Sequence, residues 1–201
     1  MDINTKTQIY AIIGDPVEHS KSPAMQNEFF CKTGINAVYL AFHVVKDNLQ
    51  DVIGGFKKLE ELRGFNVTVP HKVEIMKYID ELDPVAMKIG AVNTVVVKDG
   101  KWFGYNTDWY GVFKTLQKNN VPCNVKTLII GAGGASNGVI YGLQQYGISE
   151  IAITNRTTEK AIAVAKQFDI NVVDFASYKD ELDDYQLIIN TTTLPFGQMI
   201  P

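Results

Sequence analysis

Lys126-Thr127-Leu128-Ile129-Ile130-Gly131-Ala132-Gly133-Gly134-Ala135-Ser136 is the stretch that decides the fold. Its apolar run reads as a buried strand that passes straight into a glycine-rich turn. A helix is predicted from that turn to about Tyr146. The spacing Gly131-x-Gly133-x-x-Ser136 therefore falls between a strand and a helix, where a dinucleotide-binding loop belongs. The first glycine permits a tight turn. The second lets the backbone approach a pyrophosphate, whose charge meets the free N–H groups of the helix N-terminus. Ser136 stands at the third glycine position, so the strict pattern fails there and the strand-turn-helix context carries the reading. The plainer reading is a structural glycine turn.

Strands are predicted at Glu150 to Thr154, near Asn171 to Val173 and at Gln186 to Asn190, with a helix over about Thr158 to Phe168. This β-α-β-α-β order is the mononucleotide half of a doubly wound, Rossmann-like fold. Sites for NAD place an acid at the end of the second strand, to hold the ribose 2′-hydroxyl. Here that strand ends Thr154-Asn155-Arg156-Thr157, with no acid to repel a phosphate. Arg156 can pair with a 2′-phosphate, Lys160 follows one helical turn on, and Asn155 and Thr157 add neutral hydrogen-bonding groups. The expected cofactor is NADP rather than NAD. The alternative is that Arg156 and Lys160 are solvated surface charges.

Before this unit the chain also alternates. Ile9 to Gly14, Val38 to Phe42 and Gly64 to Val69 read as strands, the third ended by Pro70. Ser22-Pro23 opens a helix with Ser22 as its N-cap, followed by Met25, Phe29 and Phe30 at helical spacing. Asp47 to Leu62 reads as a helix with Leu49, Val52, Ile53, Phe56 and Leu59 on one stripe. Ala91 to Val97 and Trp102 to Tyr105 flank the hairpin signal Asp99-Gly100. Thr107 to Lys118 reads as a helix. The expected architecture is α/β: an N-terminal α/β domain over residues 1–105, then an incomplete Rossmann-like nucleotide domain over residues 106–201.

The composition agrees. The chain has 201 residues, 46% hydrophobic and 20% charged, which excludes disordered, collagenous and coiled-coil classes. Nineteen Lys and Arg stand against 22 Asp and Glu, a net charge of −3, so no basic footprint for nucleic acid or an anionic membrane is present. No stretch approaches the ~18 apolar residues of a membrane helix. Met1 to Thr7 lacks the apolar core of a signal peptide. Cys31 and Cys123 fit no metal or redox spacing, so two reduced thiols in a cytoplasmic protein are expected.

Polar residues gather at the strand ends of the first half: Ser20 and Ser22, then Asn66, Thr68 and Lys72, then Asn93, with Asn106 and Asp108 at the junction. Ligands of open α/β sheets bind outside the carboxyl ends of the strands, and such hydroxyls and amides suit a polyhydroxylated ligand. They are poor ligands for transition metals, so no metal site is expected. Taken singly, each has a structural reading: Ser22 a cap, Asn66 a turn former, Asp108 a favourable charge at a helix start.

In order, these segments resemble motifs of the shikimate dehydrogenase family. Gly14-Asp15-Pro16-Val17-Glu18-His19-Ser20-Lys21-Ser22-Pro23 resembles its N-terminal substrate loop, and Asn66-Val67-Thr68-Val69-Pro70-His71-Lys72 its second motif. Gly90-Ala91-Val92-Asn93-Thr94 and Gly104-Tyr105-Asn106-Thr107-Asp108 resemble the third and fourth. Gly131 to Ser136 and Asn155-Arg156-Thr157 resemble its NADP loop and 2′-phosphate clasp. The resemblance runs from about Tyr10 to about Thr192.

It implies that Ser20 and Ser22 hold a substrate carboxylate. It implies that Asn66, Thr68, Asn93 and Asp108 bind ring hydroxyls, and that Lys72 and Asp108 form the catalytic pair. It further implies that Gly131, Ala132, Gly133, Gly134, Ala135 and Ser136 bind NADP together with Asn155, Arg156, Thr157, Lys160, Asn190 and Thr191. The family commonly has Arg where this chain has Lys160, which keeps the charge but loses the planar fork. The implied reaction is the reversible, NADP-dependent reduction of 3-dehydroshikimate to shikimate, a step toward chorismate and the aromatic amino acids. The other expected partner is a second copy of the chain, as a homodimer. His19 and His71 are expected to be local hydrogen-bonding groups, and His43 a sheet residue.

After Asn190-Thr191-Thr192 the sequence departs from the family's short Gly-Met turn, reading Thr193-Leu194-Pro195-Phe196-Gly197-Gln198-Met199, and it stops at Pro201. Family members continue with further strands and a terminal helix. The expectation is a C-terminally truncated chain with an unpaired sheet edge. Two alternatives stay open: a non-catalytic shikimate- and NADP-binding module, and a relative that uses quinate.

Overall fold

The computed structural model describes residues 3–193. The chain divides into two compact units, Met1–Asn106 and Thr107–Pro201.

The first unit is built on a six-stranded sheet. Its strands are β1 (Gln8–Gly14), β2 (Ala37–His43), β3 (Leu62–Val67), β4 (Glu81–Leu82), β5 (Thr94–Lys98) and β6 (Lys101–Tyr105), in the spatial order β2-β1-β3-β5-β6-β4. β1 pairs in parallel with β2 and β3, while β3–β5 and β5–β6 are antiparallel. The β5–β6 turn is Asp99-Gly100, with φ of 51° and 74°. Both residues thus have the positive φ that a two-residue hairpin of this twist requires.

Pleating sends alternate residues to opposite faces. Ala11, Ile13, Phe65, Val67, Val95 and Trp102 form the main core with Leu49, Ile53 and Phe56 of α2 (Leu49–Phe56). Ile12, Ala37 and Tyr39 turn the other way and pack with Phe30 of α1 (Ser22–Thr33). Phe56, Phe65 and Trp102 meet edge to face with centroids 5.6 and 5.0 Å apart, a favoured arrangement of aromatic quadrupoles.

Several local expectations are corrected. Ser22 is not the cap of α1: Lys21 holds that position, and Ser22 is the first helical residue, with Pro23 beside it. Only Phe30 of that helix's apolar residues is buried, while Met25 and Phe29 are 61% and 52% exposed. The helix expected from Asp47 to Leu62 is a 3₁₀ turn at Lys46–Asn48 followed by α2, which ends at Phe56. Gly54 and Gly55 weaken its last turn, Leu59 lies exposed beyond it, and Leu62 already belongs to β3. β4 and α3 (Pro84–Ile89) had no sequence reading. Asp83 nevertheless caps α3 in the usual way, its Oδ1 accepting from Val85 N at 2.9 Å and Ala86 N at 3.2 Å.

The second unit has four parallel strands, β7 (Thr127–Ile130), β8 (Ile151–Thr154), β9 (Asn171–Val172) and β10 (Leu187–Asn190), in the order β10-β7-β8-β9. Helices α4 (Asp108–Lys118), α5 (Gly134–Tyr146) and α6 (Thr158–Phe168) complete it. Ile129, Ile153, Ile140, Leu143, Ala161 and Phe168 form one core, and Leu128, Ile130, Ala152, Tyr178 and Tyr185 another on the opposite face of the sheet. Among the described residues β10 pairs only with β7. No described helix is long and apolar enough to cross a membrane.

Ile129 is fully buried in the centre of this sheet. Ile129→Ala is expected to cost about 2–5 kcal/mol, read as faster hydrogen exchange of the β7 and β8 amides.

Candidate functional site

In the first unit the loops after β1, β2 and β3 are stitched together by their backbones. Val44 N donates to Gly14 O at 3.0 Å, Thr68 N to Ile13 O at 2.9 Å, and Asp15 N to Val69 O at 2.8 Å. Gly14 is required by this approach. A Cβ there would collide with the γ-methyl of Thr68 and lie 3.1 Å from Val69 O.

Ser20 and Ser22 sit where this loop enters α1, with Ser22 N donating to Ser20 Oγ at 3.3 Å. Tyr39, buried on β2, links Ser22 to Asn66. Its hydroxyl is hydrogen-bonded with the Ser22 side chain and donates to Asn66 Oδ1 at 2.7 Å. Asn27 of α1 clamps the Tyr39 backbone, its Oδ1 accepting from Tyr39 N at 2.8 Å and its Nδ2 donating to Tyr39 O at 2.9 Å. Asn66 lies opposite Thr94 in the β3–β5 ladder, and its Nδ2 donates to Thr94 Oγ1 at 3.0 Å and to Asn93 O at 3.2 Å. Thr94 Oγ1 in turn donates to Asn93 Oδ1 at 2.9 Å. Ser22, Asn66 and Asn93 are thus brought into one hydrogen-bonded chain. Tyr39 and Thr94 complete it, and sequence reasoning missed both. Thr94, adjacent to Asn93, could have been found only from the register that faces it to Asn66.

Lys72 follows the buried His71. The ring Nε2 of His71 contacts Val44 O at 2.6 Å and, since a carbonyl only accepts, carries the proton. Its Nδ1 has no hydrogen-bond partner among the described residues. Lys72 O accepts from Val92 N at 2.8 Å, which ties this loop to the segment before β5. Asn106 is buried, with Nδ2 donating to Ala91 O at 3.0 Å. His43 ends β2, and its Nε2 lies 2.7 Å from Asp15 Oδ1. Asp108 is the first residue of α4 and belongs to the second unit, whereas Lys72 belongs to the first.

In the second unit the glycine loop joins β7 to α5. Gly131 has φ of 108°, and a Cβ there would come within 2.7 Å of Thr191 Oγ1. That hydroxyl lies 3.0 Å from Ile130 O and 3.2 Å from Gly131 O, so the end of β10 braces the turn. Gly133 precedes α5 in an extended conformation, no side chain caps the helix, and open space surrounds its α-carbon. Ser136, at the third glycine position, is buried and donates its hydroxyl back to Gly133 O at 2.6 Å. Asn155 Oδ1 accepts from Ala132 N at 3.2 Å, which fixes the loop to the end of β8, where Arg156 and Lys160 are exposed. Asn190 turns its Oδ1 to Thr192 N at 2.9 Å. The bare helix start, the open space at Gly133 and the two exposed cations fit the phosphates of a dinucleotide. Among the described residues no cluster of three His, Cys, Asp or Glu could hold a metal ion.

Two family models match the chain: the shikimate dehydrogenase substrate binding domain over residues 12–95, and shikimate / quinate 5-dehydrogenase over residues 115–196. Shikimate dehydrogenase (NADP(+)) of Aquifex aeolicus is 46% identical over 193 residues, covering 96% of this chain and 70% of that protein. The enzyme of the same name from Methanocaldococcus jannaschii is 46% identical over 200 residues, with the same two coverages. The crystal structure of the Aquifex aeolicus enzyme aligns with a TM-score of 0.89 at 44% identity, covering all of this chain and 74% of that one. A Thermus thermophilus shikimate 5-dehydrogenase solved with NADP(H) and shikimate aligns at 0.79 with 32% identity, covering 92% of this chain and 69% of that one.

Burial raises the pKa of Tyr39 from the ordinary 10.0 to about 12, the hydrogen bond with Ser22 opposing part of the rise. A raised folded-state value means that this stabilisation is complete below about pH 10 and is lost as pH rises through about 12. The expected result is that Tyr39→Phe removes one late-ionising phenol from the ultraviolet alkaline titration.

Proposed function

The chain belongs to the shikimate dehydrogenase family, and we propose that it interconverts 3-dehydroshikimate and shikimate with NADP. The observation that carries this reading is the pairing of two units, each matched by its own family model, one presenting hydroxyls and amides and the other a glycine loop with two cations beside it. When bound, NADPH supplies the hydride.

The chain's own residues do the rest. Ser20 and Ser22 bind the substrate carboxylate. Asn66, Thr68, Asn93 and Asp108 bind ring hydroxyls. Lys72 places an ammonium at the ketone oxygen, where it stabilises the developing negative charge and delivers the proton. In the oxidative direction it takes that proton back. Asp108 shares the acid–base work by orienting the ammonium. Gly131 to Ser136 cradle the pyrophosphate, while Asn155, Arg156, Thr157 and Lys160 select the 2′-phosphate. Asn190 and Thr191 complete the cofactor side. The two free thiols, Cys31 and Cys123, suit a reducing cytoplasm.

Absorbance at the NADPH band with 3-dehydroshikimate tests the reading, and cofactor binding without turnover would contradict it. Lys72→Ala is expected to lower kcat by about 10²–10⁴ with a modest change in KM. Arg156→Ala is expected to raise KM for NADP about tenfold while leaving the NAD rate nearly unchanged. A uniform loss with both cofactors would remove Arg156 from the 2′-phosphate site.

A further inference from the structure

We propose that Asn27 is a positioning residue: its amide seats the first turn of α1 against β2 and so holds Ser22, and Ser20 with it, where the substrate carboxylate binds. This rests on the functional reading above. The hydrogen bonds orient the amide without ambiguity. Pro23 O and Tyr39 O can only accept, so Nδ2 is the atom that donates to them, at 2.8 and 2.9 Å. Tyr39 N can only donate, and Oδ1 accepts from it at 2.8 Å. Both amide protons are thereby engaged within the protein, which leaves Asn27 none to give a ligand.

Tyr39 takes from this side chain what an adjacent strand would otherwise give its backbone, one donor and one acceptor. Among the described residues β2 lies at the sheet edge and pairs with β1 alone, so no further strand aligns α1 on that side. Apolar packing adds little register, because hydrophobic contact has no direction. Phe30 is the one buried residue of α1. It lies eight residues beyond Ser22, about 12 Å along the helix axis. Val17 buries the loop on the other side of the serines. A helix held at its far end by one ring can roll and slide, and three short hydrogen bonds at Asn27 stop both motions.

The grip reaches the serines by two routes. Through Pro23 O it holds the residue next to Ser22. Through the Tyr39 backbone it fixes the strand position whose hydroxyl is hydrogen-bonded with the Ser22 side chain. Ser22 N in turn donates to Ser20 Oγ at 3.3 Å, so a shift of this turn moves both serines together.

Titration calorimetry with shikimate, on Asn27→Ala, Ser22→Ala and the two combined, reads the coupling. Asn27→Ala is expected to raise the dissociation constant about tenfold and to leave NADP+ binding unchanged. The combined variant is expected to bind more tightly than the product of the two single effects, because Asn27 acts through the serines. Hydrogen exchange of the free protein should show a faster Tyr39 amide, with the amides of β1 and β3 unmoved. If Asn27→Ala does not fold, Asn27→Asp keeps the side-chain size and the acceptor for Tyr39 N while losing both donors, and the same results are expected of it. Normal shikimate binding by the Asn27 variant would overturn the proposal. So would losses that simply multiply, or a general loosening of the β1 and β3 amides, since either marks a residue that only supports the fold. Failure of the unsubstituted chain to bind shikimate would strike the functional reading itself, and this shows before any substitution is made.

Discussion

Parallel pairing around two central strands is the constraint on which both units depend. β1 runs between β2 and β3, and β7 between β10 and β8, all with the same sense within each group. A parallel neighbour cannot be reached by a tight turn, so the chain must return along a crossover before the next strand begins. The loops at the carboxyl ends of these strands then collect on one edge. The loops after β1, β2 and β3 meet by this route in the first unit. In the second, the glycine loop meets Asn155 and Thr191. Neither set is contiguous in sequence. The sheet gathers each, and the backbone bonds among Gly14, Val44, Thr68 and Val69 hold the gathered loops against one another.

The second unit shows how a departure from a motif is accommodated. A third glycine would ordinarily allow a helix to lie close to its strand. Ser136 occupies that place fully buried and satisfies its hydroxyl on Gly133 O, within its own turn. The polar atom is therefore satisfied within its own turn and asks nothing of the surroundings. Gly131 has no such freedom, since both its positive φ and the proximity of Thr191 forbid a side chain. Two glycines of one motif thus serve different needs: Gly131 a backbone conformation, Gly133 open space.

Legibility in the sequence followed the range of the forces involved. Asp99-Gly100 announced the β5–β6 hairpin because the turn chemistry is local. The run into Gly131 announced β7 and α5 for the same reason. The stripe Leu49, Val52, Ile53 and Phe56 was equally visible, but its extent was not: two adjacent glycines end α2 where periodicity alone would continue. Ser22 carried the chemistry of a cap but sits one residue inside the helix, its hydroxyl engaged by Tyr39. Most of the candidate site residues could be named singly from the strand-end pattern and the family's motifs. The chain from Ser22 through Tyr39, Asn66 and Thr94 to Asn93 could not, because its links cross three strands and depend on register.

Gly14 and Thr68 carry a consequence for how such sequences drift. The volume that a side chain at Gly14 would fill is already held by the Thr68 methyl. The two positions are one piece of information written in two places. Position 14 cannot gain bulk while Thr68 keeps its methyl, whereas a smaller residue at 68 would remove that collision and leave only the Val69 carbonyl oxygen, 3.1 Å from a Cβ at 14. Substitution there is expected to arrive in order, through an intermediate with a small void: position 14 gains a side chain only after position 68 has lost its methyl.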